Sequence, residues 1–330
     1  MSAIDWAPLC DLFAKHRRIL LNTHLNPEPD AIGSEIALAE LLHASGKEVA
    51  IWNTSATPRN CAFLDPEASI KSWTGKDLGL ASWADLIVIV DVNSWGNIGA
   101  VGDVIRASDR PRALIDHHRG GDADIAGTRI ADISAAATGV LIYELAAFAG
   151  WPVTARVAEA LFAALCVDTG SFRFGNTDPR ALRAAADLVA AGAKPDAIYS
   201  HIFEDVSWAR MRLMPLALST LRGEADGRVA WMAISHAMYR EAGANEEDSD
   251  RFVDQIRGLR GVEVCAVFRE LSDGAVKVSL RSTGRVDVQR VAAEFGGGGH
   301  RLAAGANMAG PLDSATRRVV GALERAVTSS

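Results

Sequence analysis

Short apolar runs alternate with helix-period stretches through the first half of the chain. Arg18–Leu21 (RILL) reads as a strand, Gly33–Ala44 as an amphipathic helix and Glu48–Trp52 as a second strand. Leu86–Val90 (LIVIV) is β-branched and short enough for a buried parallel strand, and Ala113–Ile115 and Thr128–Ile133 continue the series. Strands separated by helix-length segments predict an α/β fold with a doubly wound, mostly parallel sheet. From Ala136 to about Leu221 the pattern is helical. It includes Pro179–Ala191 and a connector from Pro195 to Phe203, with Gly192 and Pro195 punctuating the join. Then the rhythm changes. Arg228–Ile234 reads as a strand, Asp248–Leu259 as a helix, and Val262–Arg269 and Ala275–Arg281 as a strand pair turning at Ser272-Asp273-Gly274. A helix over Val288–Phe295, the glycines Gly296–Gly299 and a closing helix over Leu312–Val327 complete the chain. The expected organisation is a sheet domain over residues 1–192, a helical connector over 193–212 and a smaller α+β domain over 213–330, with helices on one side of its strands.

Composition narrows the class. The chain has 330 residues, 49% hydrophobic and 23% charged, which suits two folded domains and excludes a disordered chain. The net charge of −7, from 34 basic against 41 acidic residues, comes without any basic tract. Long duplex nucleic acid is therefore not the expected ligand, whereas a short nucleotide needs only a few phosphate contacts. Four cysteines lie far apart with no CxxC pair, which fits neither a zinc site nor a disulfide scaffold. The N-terminal stretch carries charges among its apolar residues and reads as an amphipathic helix rather than a signal peptide. The longest apolar run, Ala135–Val153, contains Glu144. A cytoplasmic protein with no membrane partner is expected.

Candidate chemistry gathers at the ends of the apolar runs. His24, Glu28 and Asp30 follow the first strand, Asp91 ends LIVIV, and Asp116, His117 and His118 follow ALI. Asp168 closes LFAALCVD. Ligands of open parallel sheets bind outside the carboxyl ends of the strands, so these clusters should meet on one rim. Crowded carboxylates repel one another unless cations lie between them. Acids mixed with histidines indicate two divalent cations, with Mn2+ favoured over Mg2+ because nitrogen and oxygen ligands mix, and with Mg2+ and Co2+ as the alternatives. Two such ions about 4 Å apart activate a water and neutralise a phosphoryl oxygen together. An Asp after a buried strand is by itself as often a helix cap, and paired loop histidines are common. Only the coincidence of all four clusters carries the argument.

The segments HLNPEPDAIGS, LIDHHRGGD and VDTGSFRF, in that order, resemble the DHH phosphoesterase superfamily, and SLRSTGRVDVQRVAAEFGGGGHRLAAG is similar to its DHH-associated domain of the GGGH type. The resemblance runs from about Arg18 to Ala306. It implies that His24, Glu28 and Asp91 hold one metal while Asp30, Asp91, His117 and Asp168 hold the other. It also implies that His118 faces the substrate phosphate and that Asp116 orients the histidines. Glu28 stands where the family usually has Asp, and Asn97 where relatives often have Arg. The glycine run, weighed against a plain linker, reads as a phosphate cradle in which Gly297, Gly298, Gly299 and His300 act with Arg281 and Ser282.

At this length the branch resembled is that of the bacterial nanoRNases and 3′-phosphoadenosine-5′-phosphate (pAp) phosphatases. The implied activity is hydrolysis of RNA oligomers of about two to five nucleotides and of pAp, by a monomer or homodimer. Linear or cyclic dinucleotides such as pApA are the alternative substrates. A non-catalytic nucleotide-binding protein is the alternative from another class. A RecJ-type exonuclease would carry further domains and a basic channel, and a pyrophosphatase would lack GGGH.

Overall fold

The computed structural model describes residues 4–73, 75 and 79–329, and it divides into two compact units, residues 1–205 and 206–330. Unit 1 contains strands β1 (Arg18–Asn22), β2 (Glu48–Asn53), β3 (Lys71–Ser72), β4 (Leu86–Val90), β5 (Arg112–Asp116) and β6 (Thr128–Ala131). Its helices are α1 (Ala7–Lys15), α2 (Pro29–Ala44), α3 (Gly79–Trp83), α4 (Trp95–Ile98), α5 (Ala100–Arg106), α6 (Thr138–Ala149), α7 (Ala155–Asp168), α8 (Pro179–Ala190) and α9 (Pro195–Tyr199). A π-helical turn, Ser200–Glu204, follows α9.

The strands form one parallel sheet in the order β3-β2-β1-β4-β5-β6. Both faces are apolar, as a parallel sheet between two helical layers requires. Ile19, Leu21, Val88, Val90 and Ile115 pack with α1, α2, α6 and α7, while Leu20, Ile87, Ile89 and Leu114 pack with α4 and α5 on the other side. Each such side chain removed from water contributes roughly 1.5–3 kcal/mol, which makes the two faces together the main source of this unit's stability. The strand order, not the strand direction, reverses between β1 and β4, which is where open α/β sheets leave a crevice.

Two glycines set how closely the helices above that crevice approach. A Cβ on Gly33 of α2 would stand 2.3 Å from the Ala160 carbonyl oxygen of α7, and one on Gly139 of α6 would stand 2.6 Å from the Ala164 Cβ. With no side chain at either position, the N-terminus of α6 can come up to the first turn of α2.

Unit 2 contains β7 (Arg222–Glu224), β8 (Val229–Ile234), β9 (Val264–Glu270), β10 (Ala275–Ser282), β11 (Gly298–His300) and β12 (Ala303–Ala309). Its helices are α10 (Trp208–Ser219), α11 (His236–Ala242), α12 (Phe252–Arg257), α13 (Val288–Ala293) and α14 (Leu312–Thr328). The sheet order is β11-β12-β10-β9-β8-β7, with only β8 and β9 parallel.

Helices cover both faces here, not one as the sequence suggested. Val264, Ala266 and Phe268 pack with α13 and α14, while Ala230, Met232, Cys265 and Val267 pack with α10, α11 and α12. The reason lies in β8 and β9, which are apolar on both sides. β10 alternates, with Val276, Val278 and Leu280 buried and Lys277, Ser279 and Arg281 on the other side, so the second helical layer stops there. The helix expected over Asp248–Leu259 is shorter. Arg251 adopts a left-handed φ of 61° ahead of α12, and Arg210 donates to the carbonyls of Asp248 and Asp250, holding that segment out of helical geometry.

Candidate active site

The crevice between β1 and β4 collects the predicted residues. His24 lies two residues beyond β1, Asp91 directly follows β4, and Asp116, the last residue of β5, leads into His117 and His118. Asp168 arrives differently: it ends helix α7 rather than a strand, and still reaches the same rim. His117 is the hub. Its Nε2 lies 3.2 Å from Asp168 Oδ2, 3.5 Å from Asp91 Oδ1 and 3.6 Å from Asp30 Oδ2. His24 Nε2 lies 3.6 Å from the other Asp91 oxygen, Oδ2. Two overlapping triads result, Asp91–His117–His118 and Asp30–His117–Asp168, each a candidate to hold an ion and sharing His117, whose Nε2 can ligate only one ion at a time.

Asp91 has a left-handed φ of 59°, a conformation Asp and Asn adopt more readily than other side chains. Its carboxylate accepts from the Thr138 hydroxyl at 2.9 Å. Asp30, on the first turn of α2, accepts the Thr138 N–H at 2.8 Å, the Gly139 N–H at 3.0 Å and the Ser34 hydroxyl at 3.3 Å. Asp116 is fully buried and holds His118 Nδ1 at 2.7 Å, which leaves the opposite ring nitrogen as the outward edge of that histidine. Asn176 donates to the carbonyls of Asp168 and Ala136, tying the end of α7 to the loop before α6. The sequence reading missed Thr138, Gly139, Ser34 and Asn176. Thr138 and Gly139 reach the acids only through the tertiary fold, whereas Ser34 lies one helical turn after Asp30 on α2 and Asn176 eight residues after Asp168.

Glu28 is exposed at the head of α2 and enters neither triad, acting on His24 through its charge. Asn97 contributes its backbone, accepting the Leu25 N–H at 2.6 Å.

The charges of this cluster do not balance internally. Among the described residues, no Lys or Arg side chain pairs with Asp30, Asp91 or Asp168. Burial pushes the Asp30 carboxyl well above its ordinary range, reinforced by the charges of Asp91 and Asp168. Burial opposes the His24 proton, yet the hydrogen bond and charge of Asp91 outweigh it and the imidazole is pushed up to about 9. His117 is likewise raised, with Asp168 overcoming burial, and Asp91 falls to about 2 because the histidines outweigh its own burial. Protons on histidines thus do what cations would do. A donor set of imidazole nitrogens and carboxylate oxygens converging at 3–4 Å fits two divalent ions.

The second predicted site lies on unit 2. Arg281 pairs across the ladder with Ala303, and Ala303 with His300, so Arg281 and His300 share one face two strand spacings apart, roughly 10 Å. Between them the floor is flat: Gly298 opposes Gly305, and Ala303 is small. Packing explains two of the glycines. A Cβ on Gly297 would meet the Gly305 carbonyl oxygen at 2.1 Å and one on Gly299, at a φ of 131°, the Ala303 carbonyl oxygen at 2.6 Å, whereas Gly298 faces open space.

The run is therefore an edge strand rather than a linker. The Arg281 Nε donates to Asp254 at 3.1 Å. Ser282 faces the opposite way. It is fully buried on the side of α13 and α14, and its hydroxyl accepts the Gly284 N–H at 3.0 Å, so it supports the turn after β10 rather than the face carrying Arg281 and His300.

Known proteins share this plan. Residues 18–165 match the DHH family, N-terminal domain, and residues 228–328 match the DHHA1 domain. The chain is 36% identical over 314 residues to the bifunctional oligoribonuclease and PAP phosphatase NrnA of Thermus thermophilus, covering 94% of this chain and 90% of that protein. Its fold matches the crystal structure of an exopolyphosphatase-related protein from Bacteroides fragilis with a TM-score of 0.93 at 26% identity over 98% of both chains. RecJ from Thermus thermophilus, crystallised in complex with Mn2+, shares the fold at a TM-score of 0.55 and 15% identity, over 98% of this chain and 54% of RecJ. Strand-end acids and histidines, a second sheet ending in GGGH and this relationship over nearly the whole length lead to one conclusion: the chain belongs to the DHH phosphoesterase family, as a hydrolase with a DHHA1 domain behind its DHH domain.

Proposed function

We propose that this enzyme hydrolyses RNA oligomers of about two to five nucleotides to mononucleotides, and pAp to AMP, in the cytoplasm and with two Mn2+ ions. The observation that carries the reading is the convergence of Asp30, Asp91 and Asp168 on His117 at the strand ends, a cluster whose charge requires cations. The substrate class follows from the Thermus thermophilus relative, whose name states both activities.

In this reading His24, Glu28 and Asp91 hold one ion, and Asp30, Asp91, His117 and Asp168 the other. Bound there, the two ions supply water activation and charge neutralisation at phosphorus. The remaining work falls to the chain. Asp116 fixes the His118 ring, and His118 turns the ring nitrogen opposite Asp116 to the substrate phosphate and neutralises charge developing on it. Arg281, His300 and the open backbone at Gly298 bind a phosphate of the nucleotide.

The test is chromatography of products from a length series of RNA and DNA oligomers, with pAp and pApA alongside, in Mn2+ and in EDTA. The expected result is turnover of two- to five-nucleotide RNA and of pAp in Mn2+ only. Exclusive turnover of pApA would move the enzyme to the dinucleotide branch. No turnover of any substrate, with nucleotide still bound, would establish a binding protein instead.

A further inference from the structure

We propose that Thr138 is a positioning residue of the metal centre, one whose hydroxyl sets the roll of the Asp91 carboxylate while its amide sets that of Asp30. The inference rests on the two-ion reading above. It concerns how the chain keeps those ligands in register.

Asp91 belongs with both ions, so each of its oxygens must face a different way. Rotation about the Cβ–Cγ bond exchanges the two, and something must hold the carboxylate in one roll. In the structure Oδ1 is turned toward His117 and His118, at 3.5 and 3.7 Å, and Oδ2 toward His24 at 3.6 Å. Thr138 Oγ1 donates to Oδ1. A hydroxyl has one proton to give, and Thr138 is fully buried, so no water competes for it.

The same residue reaches the second triad through its backbone. Helix α6 begins at Thr138, and its N-cap Ala137 has no side chain able to accept the unpaired amides there. Asp30 takes that place from another helix, accepting the N–H groups of Thr138 and Gly139 with one oxygen each. One residue thus links an acid of each triad. A valine would fill the same volume without the proton, whereas serine would keep it.

Manganese binding to the full-length, metal-stripped protein tests this directly, by calorimetric titration and by the Mn–Mn spin coupling of the loaded protein. Thr138→Val should weaken Mn2+ binding roughly ten- to a hundredfold and reduce the coupling, as loss of a hydrogen-bond partner behind a metal ligand does. Thr138→Ser should restore wild-type affinity. If Thr138→Val binds two ions as tightly as wild type and differs only in melting temperature, Thr138 is a packing residue and the proposal is wrong. Should the valine variant fail to fold, the pair Thr138→Ser and Thr138→Ala decides. Equal affinity in those two overturns the proposal, and weaker binding by the alanine variant alone supports it. If the wild type binds no divalent ion, the two-ion reading itself falls.

Discussion

The two units bury opposite charges. Among the described residues, unit 1 buries the acids Asp30, Glu35, Asp65, Asp91 and Asp116 and no base, while unit 2 buries one charged residue, Arg269. Their overall compositions lean the same way, with 17 Lys and Arg against 26 Asp and Glu in unit 1 and 17 against 15 in unit 2. The difference lies in how each burial is compensated. Arg269 meets Asp250 at 2.6 Å and Ser279 at 3.0 Å, and Arg281, four residues along the same ladder, meets Asp254, so both bases have an acid within unit 2.

In unit 1, Asp65 is answered by the Ser69 and Ile70 amides and Asp116 by His118, but Asp30, Asp91 and Asp168 share histidines that must be protonated to help. A buried charge without a partner is costly, and the cost disappears when an ion arrives. Among the described residues, unit 1 thus leaves acids without Lys or Arg partners, at the candidate cation sites. In unit 2 the buried base has its acid, and the rim of the sheet, where Arg281 and His300 share one face, is the place proposed for an anion.

The largest effect should come from removing the acid shared by both triads. Asp91→Asn keeps a residue tolerant of the left-handed φ at this position and an acceptor for Thr138, so the fold should survive where Ala would add strain. Hydrolysis should fall by more than about a thousandfold, and bound Mn2+, measured by elemental analysis, should drop. Wild-type turnover in this variant would break the contrast, because unit 1 would then function without its charge deficit being filled.

A smaller effect is expected from unit 2. Arg281→Ala or His300→Ala each removes one charge-assisted contact to a phosphate, worth about 1.5–3 kcal/mol, so kcat/KM on dinucleotides and pAp should fall roughly ten- to a hundredfold. Hydrolysis of bis(p-nitrophenyl) phosphate, which has no second phosphate to hold, should change little, and Mn2+ content should not change. Loss of manganese, or equal loss on both substrates, would assign these residues to the catalytic centre and erase the division of labour.

That division was only partly legible in the sequence. The rim of unit 1 could be read because LIVIV and ALI are runs too short for helices, so the acids after them had to lie at strand ends. LFAALCVD is a helix rather than a strand, an ambiguity that periodicity cannot resolve in a continuous apolar run, and Asp168 at its end lies 3.2 Å from His117. The hydrogen bonds that orient the acids stayed hidden, because Thr138 is 108 residues from Asp30 and 47 from Asp91. In unit 2, β12 (AAGANMA) has little strand propensity of its own and is a strand because β10 and β11 flank it. Without β12 in view, Ser282 and Arg281 looked like neighbours in one cradle. The pleat sends them to opposite faces.

The smallest effect separates the units by pH. Glu35, on α2, is fully buried and accepts from Asn53 Nδ2 at 2.8 Å. Asn53 in turn accepts the Thr23 N–H at 3.1 Å, just ahead of His24. Burial, only partly offset by the Asn53 hydrogen bond, pushes the Glu35 carboxyl up from 4.5 to about 8; the charge of His24 lowers it, and those of Asp91 and Asp65 raise it. Between these values the folded protein holds a proton that the unfolded chain has released. Stability must then fall as pH rises through that window, by at most about 1.4 kcal/mol per pH unit from this group, and level off above about pH 8. Glu35→Gln has nothing to release and can still accept from Asn53. Urea unfolding of metal-stripped wild type and variant, compared at pH 5, 6, 7, 8 and 9, should therefore show the variant gaining relative stability up to about pH 8 and no further. Arg269→Met in unit 2 is the control, since a guanidinium keeps its charge throughout and its removal should give an offset from wild type that does not vary over the same range. A constant difference between Glu35→Gln and wild type would mean that Glu35 is ionised in the fold, and that unit 1 carries its buried acids by some means other than leaving one protonated.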